Sequence, residues 1–201
     1  GGVTLPDDVA VALAALPDHA VVGTGSPRRR AQLLRLRPDL RLEDIRGNVD
    51  TRLRKLDEGR YDALVLAEAG LVRLGLGERV SARLTPPALL PAVGQGALGL
   101  ECRADDEPTL ALLSSLDDPA ARVEVTAERS LLASLRAGCQ APVGTYARIE
   151  SDRLRLDAVV LSPDGRRRFA ASVEGRSDDA AGLGRRAAEE LLSGGADALL
   201  R

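Results

Sequence analysis

The stretch HAVVGTGSPRRRAQLLRLR, residues 19–37, followed by LRLEDIRGNVDTRLRKLDEG, residues 40–59, decides the fold. His19 to Thr24 reads as a short apolar strand, and Gly25-Ser26-Pro27 breaks it. Serine before proline matches an N-cap with proline at the first helical position, so a helix is expected to about Arg37. The pattern then repeats: a strand from Leu40 to Ile45, a turn at Arg46-Gly47-Asn48, and a helix from Val49 to Glu58 that Gly59 ends. A third strand, Asp62 to Ala67, leads into a short helix from Ala69 to Leu74. Strands and helices alternating at this spacing specify a parallel α/β sheet.

Working outward, residues 1–18 read as a polar, proline-containing lead-in, and Ser81 to Pro91 as a proline-rich loop that marks a boundary or crossing. Leu98 to Cys102 resembles a short buried strand and Glu107 to Leu116 a helix. A longer helix is expected from Asp117-Asp118-Pro119 to Arg136, terminated by Ala137-Gly138. Val143 to Glu150, Leu154 to Leu161 and Arg167 to Glu174 alternate like half-buried strands. Ser162-Pro163-Asp164-Gly165 turns the last two into a hairpin, and Asp178 to Leu192 is amphipathic at helical spacing. The fold class is therefore α/β: a parallel-sheet domain followed by a small α+β domain with an antiparallel sheet.

Composition narrows the function. Aromatic residues make up 1% of the 201 residues and the net charge is -2, which argues against a nucleic-acid binder that stacks bases or neutralises phosphates. No run approaches the apolar length of a membrane span, so no membrane partner is expected, and two widely spaced cysteines fit a reduced, cytoplasmic protein. The absence of methionine and the Gly-Gly-Val start suggest a piece of a longer chain. Lys55 is the sole lysine, so position and not the arginine total carries the argument.

Arg28 and Arg29 follow the first turn, and Arg46 and Arg52 flank the start of the second helix. In an α/β sheet these loops lie beyond the carboxyl ends of the strands, where ligands bind. Guanidinium is disfavoured at a helix N-terminus by the helix dipole, so arginine in both loops points to an anion, and paired hydrogen bonds suit carboxylates. For any one of them, a solvated surface arginine is the alternative. Cys139 lies in a loop after Gly138; by spacing alone a reactive and an incidental thiol are both open. Cys102, after an apolar run, reads as a core residue. A cysteine hydrolase would have only His19 as base, and two cysteines with one histidine lack zinc-ligand spacing, so no metal is expected.

Four blocks, GTGSPRR at 23–29, RGNVDTRL at 46–53, LPAVGQGA at 90–97 and GCQAPVG at 138–144, resemble the porphobilinogen deaminase (hydroxymethylbilane synthase) family in order and spacing. Tyr61 to Leu76 and Thr126 to Arg129 resemble it too, so the likeness covers nearly everything after about residue 16. The resemblance implies a transferase of tetrapyrrole (heme) biosynthesis. Four porphobilinogen molecules are condensed head to tail into hydroxymethylbilane, with release of ammonia, on a cysteine-bound dipyrromethane primer. It assigns that thioether to Cys139. It assigns cofactor contacts to Ser26, Arg28, Arg29, Arg46, Gly47 and Arg52, and contacts to porphobilinogen and the growing pyrrole chain to Arg28, Arg29, Arg52, Arg73 and Gln95. Each pyrrole carries an acetate and a propionate, the polycarboxylate that the arginine loops call for.

The resemblance further implies a monomer with a periplasmic-binding-protein-like plan: residues 1–96 as the second domain, 97–116 as a return into an incomplete first domain, and 117–201 as the C-terminal domain. The family's catalytic aspartate belongs to an N-terminal segment with no match here, so no catalytic residue is expected in this chain, and the chain alone is expected to be inactive. Leu98 to Cys102 would then lose its sheet partners. Departures are Gly25 for serine, Pro27 for leucine, and Glu68 for a small or apolar residue; Glu68 would either weaken anion binding or pair with an arginine. A polycarboxylate-binding module without catalysis is the alternative, and Cys139 discriminates, since a pure binding module has no use for a modified cysteine in that loop.

Overall fold

The computed structural model describes residues 7–138 and 141–200. Two sheets form two packing units. The first is parallel, with β1 (Val21–Gly23) between β2 (Arg41–Glu43) and β3 (Ala63–Leu64). Val21 aligns with Arg41 and Val22 with Ala63.

Local chemistry sets the crossovers. Helix α2 (Pro27–Leu36) begins where Ser26 Oγ accepts the Arg29 amide at 3.4 Å, and α3 (Val49–Asp57) where Asn48 Oδ1 accepts the Thr51 amide at 2.9 Å. A short helix, α4 (Glu68–Arg73), follows β3. Before β1 stands a helix that the lead-in reading missed, α1 (Asp7–Ala14). Val9 and Leu13, one turn apart, bury against Val22, Leu33, Leu40 and Leu42, so tertiary burial stabilises a segment too short to be convincing alone.

After α5 (Glu107–Ser114), the second unit begins with α6 (Pro119–Leu135), capped by Asp118. It continues through β4 (Val143–Glu150), β5 (Arg153–Leu161) and β6 (Arg168–Arg176), an antiparallel sheet in that order, and closes with α7 (Ala180–Ser193). Leu131, Leu135, Leu154, Leu156, Leu183 and Leu191 fill its core. The outer edge of β4 is not left open. Its Thr145 amide donates to Pro91 O (2.9 Å), Ala147 to Glu128 (2.9 Å) and Ile149 to Glu124 (3.1 Å), so two carboxylates of α6 and a loop carbonyl satisfy the edge.

The units meet where Ala31 and Leu90 pack on Val159 and Leu161. At the hairpin tip, Gly165 has φ +72°, and a Cβ there would overlap the Ala31 carbonyl oxygen and lie 2.7 Å from the Arg35 nitrogen. Glycine is required twice over, for conformation and for close approach to α2.

Two expectations fail. Residues 98–102 form no strand: Leu98 is 77% and Leu100 60% exposed, because no neighbouring strand supplies backbone partners among the described residues. Cys102 is half-buried and lies outside every core cluster, so the core assignment falls with the strand.

Candidate functional site

Val22 of β1, the β3 segment 62–67, the faces of α1, α2 and α3 turned towards them, and the stretch from Arg79 to Pro91 line a cleft of about 520 Å³. Its walls are leucine, valine and alanine; Arg28, Arg29, Glu68, Arg79, Arg83 and Gln95 supply most of its charge and polarity. That size and mixture suit a small multi-ring ligand with several polar groups.

Arg28 is buried at 7% exposure. Its Nη1 donates to the Leu90 carbonyl and its Nη2 to Gln95 Oε1 at 3.1 Å. Burial, then the charge of Arg29, pulls its pKa down to about 10. Arg29 donates to Val65 O at 3.0 Å and is also lowered, by burial first and by Arg52 second. Both guanidiniums have neutral partners, and no carboxylate pairs with either among the described residues. Two adjacent, half-desolvated cations without a counter-charge leave an anion as the missing partner.

The other expected site residues divide. Gln95 lines the cleft and accepts from Arg28. Ser26 Oγ is engaged as the α2 cap. Arg52 does not line the cleft: its Nε donates to the Gly47 carbonyl at 2.7 Å, and its charge reaches Arg29. Gly47 holds φ +116° at the turn. Arg46 and Arg73 are exposed and do not line the cleft. The structure thus gathers Arg28, Arg29 and Gln95, with Arg52 adjacent. Cys139 lies outside the described residues.

Glu68 pairs with Arg83, its carboxylate receiving Nε at 2.8 and 3.0 Å and Nη2 at 2.7 Å. Hydrogen bonding to Arg83 holds Glu68 below the usual carboxylate range. Pro27 starts α2 in place, and a Cβ at Gly25 would come 3.3 Å from Ile45 O. Sequence reasoning missed Arg79, paired with Asp57 at 2.5 Å, and Arg83; the first ends a single 3-10 turn, Gly77–Arg79, the second sits in irregular backbone, and neither belongs to a motif. It also gave no role to Glu128, a buried carboxylate that lies within the family-like block Thr126 to Arg129 and on the apolar face of α6 beside Ala127 and Leu131. Among the described residues no group of histidine, cysteine and carboxylates is placed to hold a metal, and no helix is long and apolar enough to cross a membrane.

Two family models match. Residues 4–111 match the porphobilinogen deaminase, dipyromethane cofactor binding domain, and residues 122–193 the porphobilinogen deaminase, C-terminal domain. The porphobilinogen deaminase of Roseiflexus sp. (strain RS-1) is 56% identical over 188 residues, covering 94% of this chain and 62% of that protein. That of Acidothermus cellulolyticus is 54% identical over 193 residues, 94% of this chain and 58% of the relative. That of Brevibacillus brevis is 50% identical over 186 residues, 92% of this chain and 60% of the relative. The chain spans about three-fifths of the length of these curated relatives. Matched over residues 4–111 and 122–193 by models of two porphobilinogen deaminase domains, the chain belongs to the porphobilinogen deaminase family.

Proposed function

We propose that this chain is the part of a hydroxymethylbilane synthase that holds a dipyrromethane cofactor and the pyrrole chain growing from it. The whole protein would condense four porphobilinogen molecules into hydroxymethylbilane with release of ammonia, a transferase step of tetrapyrrole biosynthesis. One observation carries the reading. Arg28 and Arg29 face a cleft with neutral partners only, in a chain whose matching family model is that of a dipyrromethane-binding domain.

The residues present fit such a group. A dipyrromethane brings four carboxylates, and Arg28, Arg29 and, adjacent to them, Arg52 are the cations that would orient them through charge-assisted hydrogen bonds. Apolar walls would exclude water from the pyrrole rings and so strengthen those contacts. When bound, the group supplies a nucleophilic pyrrole carbon. Cys139 would anchor it by a thioether, with Ser26, Gly47 and Arg46 as further cofactor contacts and Arg73 and Gln95 as substrate contacts.

On this reading residues 1–96 are the second domain of the whole protein, 97–116 its return into the first, and 117–201 the third. The catalytic aspartate would lie in the part of the protein that this chain does not match, leaving the isolated chain inactive. A cytoplasmic monomer is the expected setting.

The test is the intact mass of this chain extended by its parent's N-terminal segment, made in cells that synthesise porphobilinogen, beside a Cys139→Ser version. An added mass of two linked pyrroles, absent from the serine protein, is the expected result. An unmodified wild-type chain would favour a polycarboxylate-binding module without catalysis.

A further inference from the structure

Residues 90–95 run between the two units and are gripped from both sides. From the first unit, Gln32 pairs reciprocally with Leu90, accepting its amide at 2.8 Å and donating to its carbonyl at 3.0 Å, while Arg28 donates to the same carbonyl. From the second, the Thr145 amide donates to Pro91 O at 2.9 Å, and the Gly94 amide donates to Glu128 Oε2 at 2.6 Å. Glu128 is 7% exposed on α6, and its other oxygen accepts the Ala147 amide at 2.9 Å. Burying a carboxylate is costly unless its oxygens are satisfied, so these two amides hold it in one orientation.

The next residue continues the chain of contacts. Gly94 sits at φ +66°, and the Gln95 side chain folds back so that Oε1 accepts both the Ala92 amide and Arg28 Nη2, each at 3.1 Å. A continuous path of hydrogen bonds and one peptide link therefore joins a buried acid of the C-terminal unit to a cleft arginine: Glu128, the Gly94 amide, Gln95, Arg28. Every member is also held by a second partner, which leaves little freedom to absorb a shift at either end.

We propose that Glu128 is a positioning residue: by clamping the Gly94 amide to the C-terminal unit it orients Gln95, and through Gln95 the Arg28 guanidinium. The unit that carries Cys139 and the cleft that faces Arg28 are then mechanically coupled, so a displacement of one alters the aim of the other. What Arg28 binds rests on the function proposed above; the coupling itself does not.

The experiment separates the two. Hydrogen exchange by NMR on the full chain reads the Gly94 amide and the Arg28 Nη2 protons in the wild type and in Glu128→Gln. The glutamine has one acceptor for two amides, so the clamp is broken without loss of volume. Exchange about tenfold faster at both Gly94 and Arg28, with the amides of α2 and β5 unchanged, is the expected result. A freed Gly94 beside an unchanged Arg28, or no change at either, overturns the proposal.

Should Glu128→Gln unfold, Gln95→Ala interrogates the path from its other end. It must free Arg28 while Gly94 stays protected, and an Arg28 that remains protected overturns the proposal equally. Calorimetric titration with porphobilinogen adds the functional arm. Glu128→Gln should weaken binding about tenfold, and should add nothing in a Gln95→Ala background, whereas a merely structural role would give additive losses. A wild-type chain that does not bind porphobilinogen, with the exchange result intact, counts against the proposed function and leaves the coupling standing.

Discussion

Replacing Arg28 by methionine separates a ligand-binding arginine from a structural one. Burial and then the Arg29 charge pull the Arg28 pKa down to about 10, and at about 1.4 kcal/mol per unit of pKa its charge destabilises the folded chain by about 3 kcal/mol. At pH 7 it is protonated in both folded and unfolded states, so this penalty is present in full. It is relieved only as the pH rises through about 10 towards the ordinary arginine value, where the unfolded chain binds more protons.

Against that relief stands the loss of two charge-assisted hydrogen bonds, each worth roughly 1.5–3 kcal/mol. Neither acceptor is orphaned. The Leu90 carbonyl keeps the Gln32 amide at 3.0 Å, and Gln95 Oε1 keeps the Ala92 amide at 3.1 Å. Methionine also fills the space of the apolar stem. Set against a relief of about 3 kcal/mol, a loss of about 3–6 kcal/mol leaves Arg28→Met less stable by about 0–3 kcal/mol in urea unfolding. Removing one charge-assisted carboxylate contact of about 2–3 kcal/mol should weaken porphobilinogen binding by roughly 30–150-fold in calorimetric titration. A loss of stability above about 3 kcal/mol with unchanged affinity would refute the reasoning and make Arg28 a structural residue.

Other perturbations follow from single contacts. Gly165→Ala should cost about 2–4 kcal/mol in urea unfolding, from positive φ and from collision with α2; Gly165→Asn should recover only the φ part, and a fully stable Asn variant would mean that the hairpin does not touch α2. Glu68→Gln frees Arg83 at the cleft wall and should tighten porphobilinogen binding about two- to fivefold, less so in high salt; weaker binding would mean that the ion pair orders the cleft instead. Although burial opposes it, hydrogen bonds from Ser172 and Arg148 hold Asp157 below the usual carboxylate range. Its contribution to stability is thus present above the unfolded value near 3.8 and is lost as the pH falls through the lower folded value. Asp157→Asn should flatten the acid limb of unfolding free energy between pH 2 and 5, and an unaltered limb would remove Asp157 from the account.

Much of this protein was legible along the chain because the forces that write it act within a few residues. Ser26 with Pro27, and Asn48, cap the helices that follow them; alternation marks β4, β5 and β6; Ser162 to Gly165 turns the hairpin. The arginine loops at 28–29 and 46–52 were visible for the same reason, since strand, turn and helix start are local patterns. Helix α1 was not, because two buried side chains on a short segment signal a helix only once a sheet is there to cover them. Leu98 to Cys102 erred the other way: an apolar run reads as a strand, and without neighbouring strands its leucines face solvent.

The cleft itself was decided only in three dimensions. Arg28 meets Gln95 across 67 positions, Gln32 meets Leu90 across 58, and Glu128 meets Gly94 across 34. No periodicity or cap reaches that far. By itself the sequence determined most of the elements, the loops that carry Arg28, Arg29 and Arg52, and which family the chain resembles. Tertiary structure alone decided that Arg28 and Arg29 turn inward with neutral partners while Arg46 and Arg73 face solvent, and that a buried glutamate of the second unit holds the loop between them. Burial and charge pairing depend on which distant segments pack together, and that is settled by the packing of the whole chain.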